Sequence, residues 1–336
     1  MFQGLFCAVT GAIIVGASAE RGRLIPVFAF CFVWATLVYC PLTCWIWNSN
    51  GWAAKFGVLD YAGGGPVEIG SGFSGLAYAW VLGPRLERTR ANSHPHDLIR
   101  VAIGTLFLWF GWLAFNGASS LGANFKALYA CFNSSSTAVT AMLSWCLIDF
   151  VRQSRVHPVA LSSGIISGLV AATPTSGMIS FWSSAVLGLV TGPICYLGTQ
   201  PRFKTWLRID DSMDILVEHG VAGIIGLLWN AFFAMDSIIA SDGATLGVAG
   251  GWLNRNWVVL GKQIAYICAC AGYSFVVSTI ICHVINRIPG LRLRADEKVE
   301  MCGMDCEVGL VELDVTVVTE AMPRETGGKT EVQGFC

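Results

Sequence analysis

The sequence predicts an all-α membrane protein that crosses the bilayer many times. Of its 336 residues, 54% are hydrophobic and only 13% are charged, and the mean hydropathy is +0.60. A soluble domain carries about 25% charged residues, because its surface must be covered by polar groups. The apolar residues also form runs that are long enough to cross a membrane and that do not alternate like the strands of a barrel.

About nine apolar runs have the roughly 17–25 residues that a transmembrane helix needs. Short polar connectors separate them, and helices are expected because lipid offers no partner for backbone hydrogen bonds. No basic segment precedes the first run, so no cleavable signal peptide is predicted. The predicted spans are residues 2–19, 24–47, 60–83, 99–117, 127–150, 158–173, 178–198, 213–234 and 256–286.

Basic residues concentrate in every second connector, which predicts the orientation of the chain. The basic set consists of residues 20–23, 85–90, 152–155, 202–208 and 287–298. The opposite connectors hold few basic residues, namely Lys55, Lys126 and Arg255. Lysine and arginine favour the cytoplasmic side. We therefore expect a transmembrane domain over residues 1–286 that begins outside the cell and a cytoplasmic tail over residues 287–336.

Small residues and cysteines fit a packed membrane bundle. Thirty-eight glycines cluster in spans, as in AGGGPVEIGSG and HGVAGIIG, and small residues let membrane helices approach closely. The 13 cysteines lack metal or disulfide spacing, which predicts reduced thiols that pack in the membrane. No metal site or cofactor is predicted, and a net charge of −1 argues against nucleic acid as a partner.

Two ionisable side chains lie inside glycine-rich spans, where a charge costs about 2.5–3.5 kcal/mol on insertion scales. Glu68 lies eight residues after Asp60, and His219 lies five residues after Asp214. Either one alone is explained by a structural role as a hydrogen-bonded core residue. Their occurrence together predicts a polar pair along one pathway through the bilayer.

Aromatic residues near the outer ends of the spans form a second signal. The members of this group are Phe6, Trp47, Trp112 and Phe115. Ser119 follows Phe115 by four positions, so the two share a helix face. Such aromatics also serve as plain interface anchors. A cluster of aromatic faces with a hydroxyl would suit a small cation, because cation–π attraction is worth about 0.5–2 kcal/mol.

Five stretches, in order, resemble signature segments of the ammonium transporter family (Amt/Mep/Rh). FQGLFCAVTGAIIVGASAERGRL resembles its third helix, LDYAGGGPVEIGSGFSGLAYA the fifth, LWFGWLAFNGASS the sixth, GLVAATPTSG the eighth and DDSMDILVEHGVAGIIG the tenth. The resemblance covers roughly residues 2–310. It implies an Amt-type helical bundle with helices 3–11 of the family's eleven, so we expect the first two to be missing and part of the pore wall to be unpaired.

The resemblance implies roles for the residues near the outer surface. Trp47 and Ser119 match the outer site that recruits ammonium in the family, and Asp60 matches an acidic residue that supports this site. Phe6 and Phe115 match the two stacked phenylalanines that gate the pore. The segment GLRLRADEKVEMCGMDCEVG loosely resembles the family's cytoplasmic regulatory region.

The resemblance also implies a pore chemistry. Trp112 matches a tryptophan that lines the pore, and His219 matches the second of two pore histidines. Glu68 stands where the first histidine is expected, as in a subset of fungal Mep proteins. The implied function is recruitment of ammonium, its deprotonation, and separate passage of ammonia and a proton, with Glu68 and His219 as the relay. Imidazole suits this task because it titrates near pH 6.5.

Other functions stay open at this point. One is an ammonium sensor that signals through the tail, and another is a pore-dead subunit that assembles with full-length relatives. The resemblance implies a homotrimer or heterotrimer in the plasma membrane. An enzyme is disfavoured, because no nucleophile–base, metal-ligand or phosphate-loop spacing occurs. The HPHD motif at residues 94–97 is expected to be a solvated turn.

Overall fold

The computed structural model describes residues 1–87, 97–201 and 209–306. Within these ranges the chain is helical, and the only extended pairing is an isolated bridge between Gly22 and Arg294. Most of the HPHD motif, the basic connector residues 88–90 and 202–208, and the tail from residue 307 onward lie outside the described residues.

The helices follow the predicted apolar runs closely. Short helices also occur at Trp52–Phe56, Asp236–Ile239 and Glu297–Cys302. The long segments are α1 (Phe2–Gly16), α2 (Leu24–Trp34, continued by Ala35–Tyr39 and Cys40–Trp47), α3 (Gly64–Ile69 and Gly70–Leu82), α4 (Leu98–Ala118), α5 (Phe125–Gln153), α6 (Pro158–Ala172), α7 (Phe181–Thr199), α8 (Leu216–Val221 and Ala222–Phe233) and α9 (Val259–Asn286).

Six helical stretches of the described residues are long and apolar enough to cross a membrane, and they contain α2, α4, α5, α7, α8 and α9. The helices α1 and α6 are apolar but shorter. In α4 the burial pattern is inverted relative to a soluble helix. Phe107 and Phe110 are about three-quarters exposed, whereas Thr105 and Asn116 are buried. Such a surface suits lipid, which solvates apolar side chains and leaves polar groups to pair inside the protein.

Local capping sets where several helices begin. The Asp97 carboxylate accepts the backbone N–H groups of Ile99 and Arg100 at the start of α4, and Asn124 accepts the N–H of Ala127 in the first turn of α5. These side chains satisfy backbone donors that have no partner inside the helix. The predicted span 60–83 starts later, at residue 64, because the Asp60 side chain binds the backbone of the preceding turn.

The beginning of the tail packs against the connectors at one end of the bundle. The backbone N–H of Ala295 donates to the carbonyl of Arg21 at 2.9 Å. The Glu300 carboxylate accepts the N–H of Leu86 at 2.7 Å and pairs with Arg294 at 2.9 Å. We call this the tail end, formed by residues 17–23, 83–87, 209–212 and 291–302.

The opposite end carries the connector between α4 and α5 and the loop between α8 and α9. We call it the aromatic end, formed by residues 47–63, 115–126 and 234–258. The contacts put the basic connectors around Arg21 and Arg85 on the same end as the tail, as the charge pattern predicts. Which end faces the cytoplasm stays a prediction, and so does the division into domains at residue 286.

Candidate functional site

Two buried ionisable side chains from different helices are in direct contact. Glu68 of α3 and His219 of α8 are 151 residues apart in the sequence, yet Glu68 Oε2 lies 2.9 Å from His219 Nδ1. The Glu68 side chain is fully buried and that of His219 is 8% exposed. The second carboxylate oxygen, Oε1, has no hydrogen-bond partner among the described residues. The acid and the imidazole thus form one unit that can hold a proton between them.

Both members of this pair lie in π-helical turns. Glu68 belongs to the π-helical stretch Gly64–Ile69, and His219 belongs to Leu216–Val221. π-helical turns are rare and often occur at functional sites, because the extra residue redirects side chains and loosens the backbone hydrogen bonds. Sequence analysis missed these turns, since the apolar pattern of a span does not distinguish a π-helical turn from an α-helical one.

Glycines let the two helices approach closely enough for the pair to form. A Cβ atom on Gly72 would lie 2.4 Å from the backbone nitrogen of Gly220. A Cβ atom on Gly223 would lie 2.7 Å from the Cβ of Glu68. No larger residue fits at either position without moving the backbone or the acid. The glycine-rich composition of these two spans therefore has a specific structural cause.

Asp60 organises the turn that leads into α3. Its Oδ1 accepts the N–H groups of Gly63 and Gly64 at 3.0 and 2.6 Å, and its Oδ2 accepts that of Gly65 at 2.8 Å. The hydroxyl of Tyr266 donates to Oδ2 at 3.2 Å. Asp60 is 6% exposed. Both of its oxygens are thus occupied by the protein, which fixes the turn that leads into α3.

The predicted aromatic residues come together in one stack. The rings of Phe6 and Phe115 are stacked with centroids 3.9 Å apart and planes inclined by 20°. Trp112 stacks on Phe115 with ring centroids 5.1 Å apart. Trp47 meets Phe6 edge-on at 5.7 Å. The four residues, which come from α1, α2 and α4, form a continuous aromatic surface near the aromatic end.

Two hydroxyl groups complete this surface. Ser119 Oγ donates to the carbonyl of Phe115 at 2.7 Å, so its oxygen lone pairs stay available as acceptors. The indole N–H of Trp112 donates to Thr173 Oγ1 at 2.9 Å. Sequence analysis did not single out Thr173, although GLVAATPTSG, the segment that contains it, was one of the quoted motifs. A threonine in an apolar span does not stand out in the sequence, because only its neighbours in the fold give it a role.

A groove borders the aromatic stack. It has a volume of about 680 Å³, lies between α1 and α4, and is lined in part by the stacked rings of Phe6 and Phe115 and by Trp112, although Phe6 and Trp112 are only 2% and 3% exposed. The remaining lining residues are small or apolar, among them Ala8, Ala12 and Gly111.

The arrangement suits a small cation that donates hydrogen bonds. Aromatic faces attract positive charge, and a serine oxygen with free lone pairs accepts an N–H. Among residues 1–87, 97–201 and 209–306, no group of three or more histidine, cysteine or acidic side chains could hold a metal ion. The role of each residue stays a prediction.

Comparison with known proteins agrees with this geometry. Residues 1–308 match the model of the Ammonium Transporter Family. The chain is 50% identical to Ammonium transporter MEP1 of Saccharomyces cerevisiae over 304 residues, which are 90% of this chain and 61% of that protein. It is 36% identical to the Ammonium transporter of Bacillus subtilis, over 91% of this chain and 72% of that protein. The chain thus spans about three-fifths of the length of the yeast relative.

Solved structures lead to the same fold. The crystal structure of Saccharomyces cerevisiae Mep2 is similar with a TM-score of 0.81 and 41% identity, over 88% of this chain and 66% of that one. The crystal structure of Candida albicans Mep2 is similar with a TM-score of 0.83 and 39% identity, over 96% of this chain and 70% of that one. These matches confirm the predicted all-α polytopic membrane fold. The relatives are named as transporters rather than enzymes, in agreement with the prediction. The chain therefore belongs to the ammonium transporter family.

Proposed function

We propose that this chain takes part in carrying ammonium across the plasma membrane. The observation that supports this most directly is the buried contact between Glu68 and His219, and the aromatic stack of Phe6 and Phe115 adds to it. The names of the relatives, which are ammonium transporters of yeasts and a bacterium, support the substrate. The proposal concerns an activity that such proteins perform with a longer chain than this one.

The first step is recruitment at the aromatic end. Ammonium binds beside the indole ring of Trp47 and donates one N–H to Ser119 Oγ, whose own proton is used by the Phe115 carbonyl. Asp60 shapes the floor by holding the glycine turn, and the edge of Trp47 packs near Gly63 of that turn. Cation–π attraction strengthens as water is removed, which favours a cation at this depth.

The second step is loss of a proton before the apolar passage. A charged ammonium would have to leave its water behind, at a cost of several kcal/mol. Neutral ammonia crosses apolar space more easily. Phe6 and Phe115 close the passage behind it by stacking, and Trp112 lines the way inward, held by Thr173.

The third step is relay of the proton through the Glu68–His219 pair. The two side chains lie within hydrogen-bond distance, so a proton that reaches one can pass to the other without entering lipid. Glycines at positions 72 and 223 keep the two helices close enough for this contact. The relay thus separates the path of the proton from the path of the neutral gas.

The assembly and orientation of the chain follow from the same proposal. We assign the aromatic end to the outside and the tail end to the cytoplasm, on the strength of the basic connectors. The tail beyond residue 286 acts as a regulatory segment, and contacts of Arg294 and Glu300 with the connector 83–87 and with Leu82 support this role. A trimer with copies of itself or with related transporters is proposed as well.

A second candidate is a subunit that assembles with full-length relatives and conducts nothing by itself. The groove between α1 and α4 favours it, because its apolar walls offer a surface against which a helix of another chain can pack. A sensor function is not proposed, because the relatives at 50% and 36% identity are named as ammonium transporters, whereas the solved structure named Sensor Amt Protein is only 27% identical.

Uptake in cells that lack their own ammonium carriers tests the proposal. The wild-type chain is expected to restore growth on low ammonium, and Glu68→Gln and His219→Ala are expected to lower uptake about 100-fold, the usual size of a proton-transfer contribution. Glu68→His is expected to retain transport with a changed pH dependence. His283→Ala serves as the control, since this histidine is exposed in the last turn of α9.

The outcomes separate the two candidates. Wild-type rates in both Glu68→Gln and His219→Ala would reject the relay. An inert wild-type chain that co-purifies with a full-length relative would favour the non-conducting subunit.

A further inference from the structure

A buried ion pair ties the loop after α8 to the first turn of α5. Lys126 Nζ donates to Asp242 Oδ2 and to the carbonyl of Ile239, each at 2.8 Å, and to Thr245 Oγ1 at 3.3 Å. The side chains of Lys126 and Asp242 are 5% and 9% exposed. The three donors of the ammonium group therefore have three acceptors. Neither residue was given a role by the sequence analysis or by the proposed transport pathway.

The charge of this pair is balanced inside the protein. Burial raises the pKa of the Asp242 carboxyl, but hydrogen bonds from Lys126, from Thr245 and from the backbone of Ala244 outweigh that effect and hold the pKa well below its ordinary value. The acid thus stays ionised and neutralises the lysine. Without Asp242, the Lys126 ammonium group would carry an unbalanced positive charge in a buried position.

The lysine also lies over an aromatic ring. Lys126 Nζ is 5.8 Å from the centroid of the Tyr61 ring, within the range of a cation–π contact. The ring is wedged against Gly177, where a Cβ atom would lie 2.5 Å from the ring carbon Cε2. The backbone N–H of Tyr61 donates to the carbonyl of Pro174 at 3.1 Å. Tyr61 is therefore held from both sides, and its hydroxyl has a fixed position.

The Tyr61 hydroxyl holds the end of α4. It donates to the carbonyl of Asn116 at 2.9 Å. The same carbonyl accepts the backbone N–H of Ser119 at 3.3 Å, and the Asn116 side chain donates to Ser134 Oγ at 2.7 Å. The last turn of α4, which carries Phe115 and leads to Ser119, is thus anchored by a contact that begins at Lys126.

We infer that Lys126 and Tyr61 are positioning residues for the outer ammonium site, which they serve by fixing the helix end that carries Phe115 and Ser119; this inference rests on the proposed function. Asp242 completes the set by pinning Lys126 and cancelling its charge. The three residues set the spacing between Ser119 and the facing Trp47. They therefore determine how tightly the site holds ammonium and how well it excludes bulkier alkylammonium ions.

The test compares variants by apparent affinity and by maximal rate. Tyr61→Phe removes one hydroxyl and is expected to raise the KM for ammonium about threefold, and Asp242→Asn is expected to raise it about tenfold, because small misplacements at a binding site have effects of this size or larger. Maximal rates are expected to stay within about twofold of wild type. The double variant Lys126→Met/Asp242→Asn removes both charges and is expected to raise KM less than Asp242→Asn alone.

Two further variants control for general damage. Lys126→Arg keeps the charge and is expected to retain most of the affinity. Lys55→Met removes an exposed lysine from the short helix Trp52–Phe56 and is expected to leave KM unchanged. The ratio of methylammonium to ammonium uptake is measured in parallel and is expected to rise in Tyr61→Phe.

Hydrogen exchange on the purified protein decides the positioning without any transport. Amides of residues 116–124 are expected to exchange faster in Tyr61→Phe and in the double variant than in wild type. Unchanged exchange together with an unchanged KM would overturn the inference. A wild-type chain with no uptake would instead reject the proposed function, and the exchange result would then decide by itself whether Lys126 and Tyr61 hold this helix end.

Discussion

The helices α3 and α8 both deliver an ionisable side chain to the buried pair, but their first turns are held by different chemistry. The helix α3 starts at the aromatic end, and α8 starts at the tail end, so the two run in opposite directions. All residues of Gly64–Ile69 are buried, and so are those from Leu216 to Gly220. Each helix therefore begins inside the protein, where unpaired backbone N–H groups are costly.

Different acceptors bind the backbone N–H groups at the two helix starts. Asp60 accepts three glycine N–H groups at the start of α3. At the start of α8, Asp211 accepts the N–H of Leu216, and the carbonyl of Asp214 accepts those of Val217 and Glu218. Asp210, which forms an ion pair with Arg85, lies next to the start of α8 at the tail end. One carboxylate therefore accepts three N–H groups at the start of α3, whereas the start of α8 divides the same task between the Asp211 carboxylate and the Asp214 carbonyl.

The largest expected effect comes from forcing the two helices apart. Gly72→Ala puts a methyl group where the backbone of Gly220 now lies, 2.4 Å away. Overpacking of this kind costs about 1–3 kcal/mol, and here the neighbour is backbone that cannot rotate away. We expect uptake to fall by about 100-fold, since displacement of reacting groups by 1 Å has effects of that order.

A matched glycine controls this experiment. A Cβ atom on Gly272 of α9 would meet nothing within 4 Å, so Gly272→Ala is expected to keep wild-type uptake. Normal uptake in Gly72→Ala, at normal protein levels, would show that the helix crossing is not needed for the pair to work.

A smaller effect is expected from the cap of α3. Asp60→Asn leaves one side-chain oxygen as an acceptor for three glycine N–H groups, and its amide NH₂ faces the N–H groups that lose their acceptor. An unsatisfied buried polar group costs about 1–3 kcal/mol. We expect a lower midpoint of thermal unfolding in detergent and a loss of uptake of about tenfold, in line with that cost. Asp97→Asn is the control, because this N-cap is partly exposed and asparagine caps as well as aspartate.

Equal stability of the two asparagine variants would argue against the special role of Asp60. It would mean that the buried glycine turn finds other partners when the carboxylate is lost.

The smallest effect concerns the tail end, beside the start of α8. Burial raises the pKa of Asp210, but the Arg85 guanidinium at 2.7 Å outweighs this and lowers the pKa from 3.8 to about 2. A carboxyl group whose pKa is lowered by folding stabilises the protein at pH values above the pKa that it has in the unfolded chain. This stabilisation is lost as the pH falls through the pKa that the group has in the folded protein. We expect a loss on the order of 1 kcal/mol between about pH 4 and pH 2, after allowance for solvent screening.

Unfolding in detergent at a series of pH values measures this contribution. Asp210→Asn is expected to unfold more easily than wild type at pH 6, and the difference is expected to disappear near pH 2. A difference that stays constant with pH would mean that the ion pair with Arg85 adds no stability.

Much of the fold could be predicted from the sequence because the signal is local. Runs of apolar residues are enough to place the long helices within a few residues. The start of α3 was less predictable. The position of this start depends on whether the Asp60 carboxylate binds the turn that precedes α3. Such a contact cannot be deduced from the composition of the segment.

The candidate site was predicted as a set of residues but not as an arrangement. Glu68 and His219 stand out because ionisable groups are rare in spans. Thr173 and Tyr61 do not stand out, since hydroxyl groups are common in membrane helices and only their neighbours give them a role. The π-helical turns were not predicted either, because the apolar pattern of the sequence does not distinguish them from α-helical turns.

The sequence alone was enough to predict an all-α membrane protein and the family to which it belongs, because hydropathy and motif order are properties of neighbouring residues. Only the tertiary structure decided which atoms meet. Glu68 touches His219 from 151 positions away, and Lys126 pairs with Asp242 from 116 positions away. Such contacts depend on where glycines let helices cross and on which polar groups must be satisfied away from water, and those conditions exist only in the folded chain.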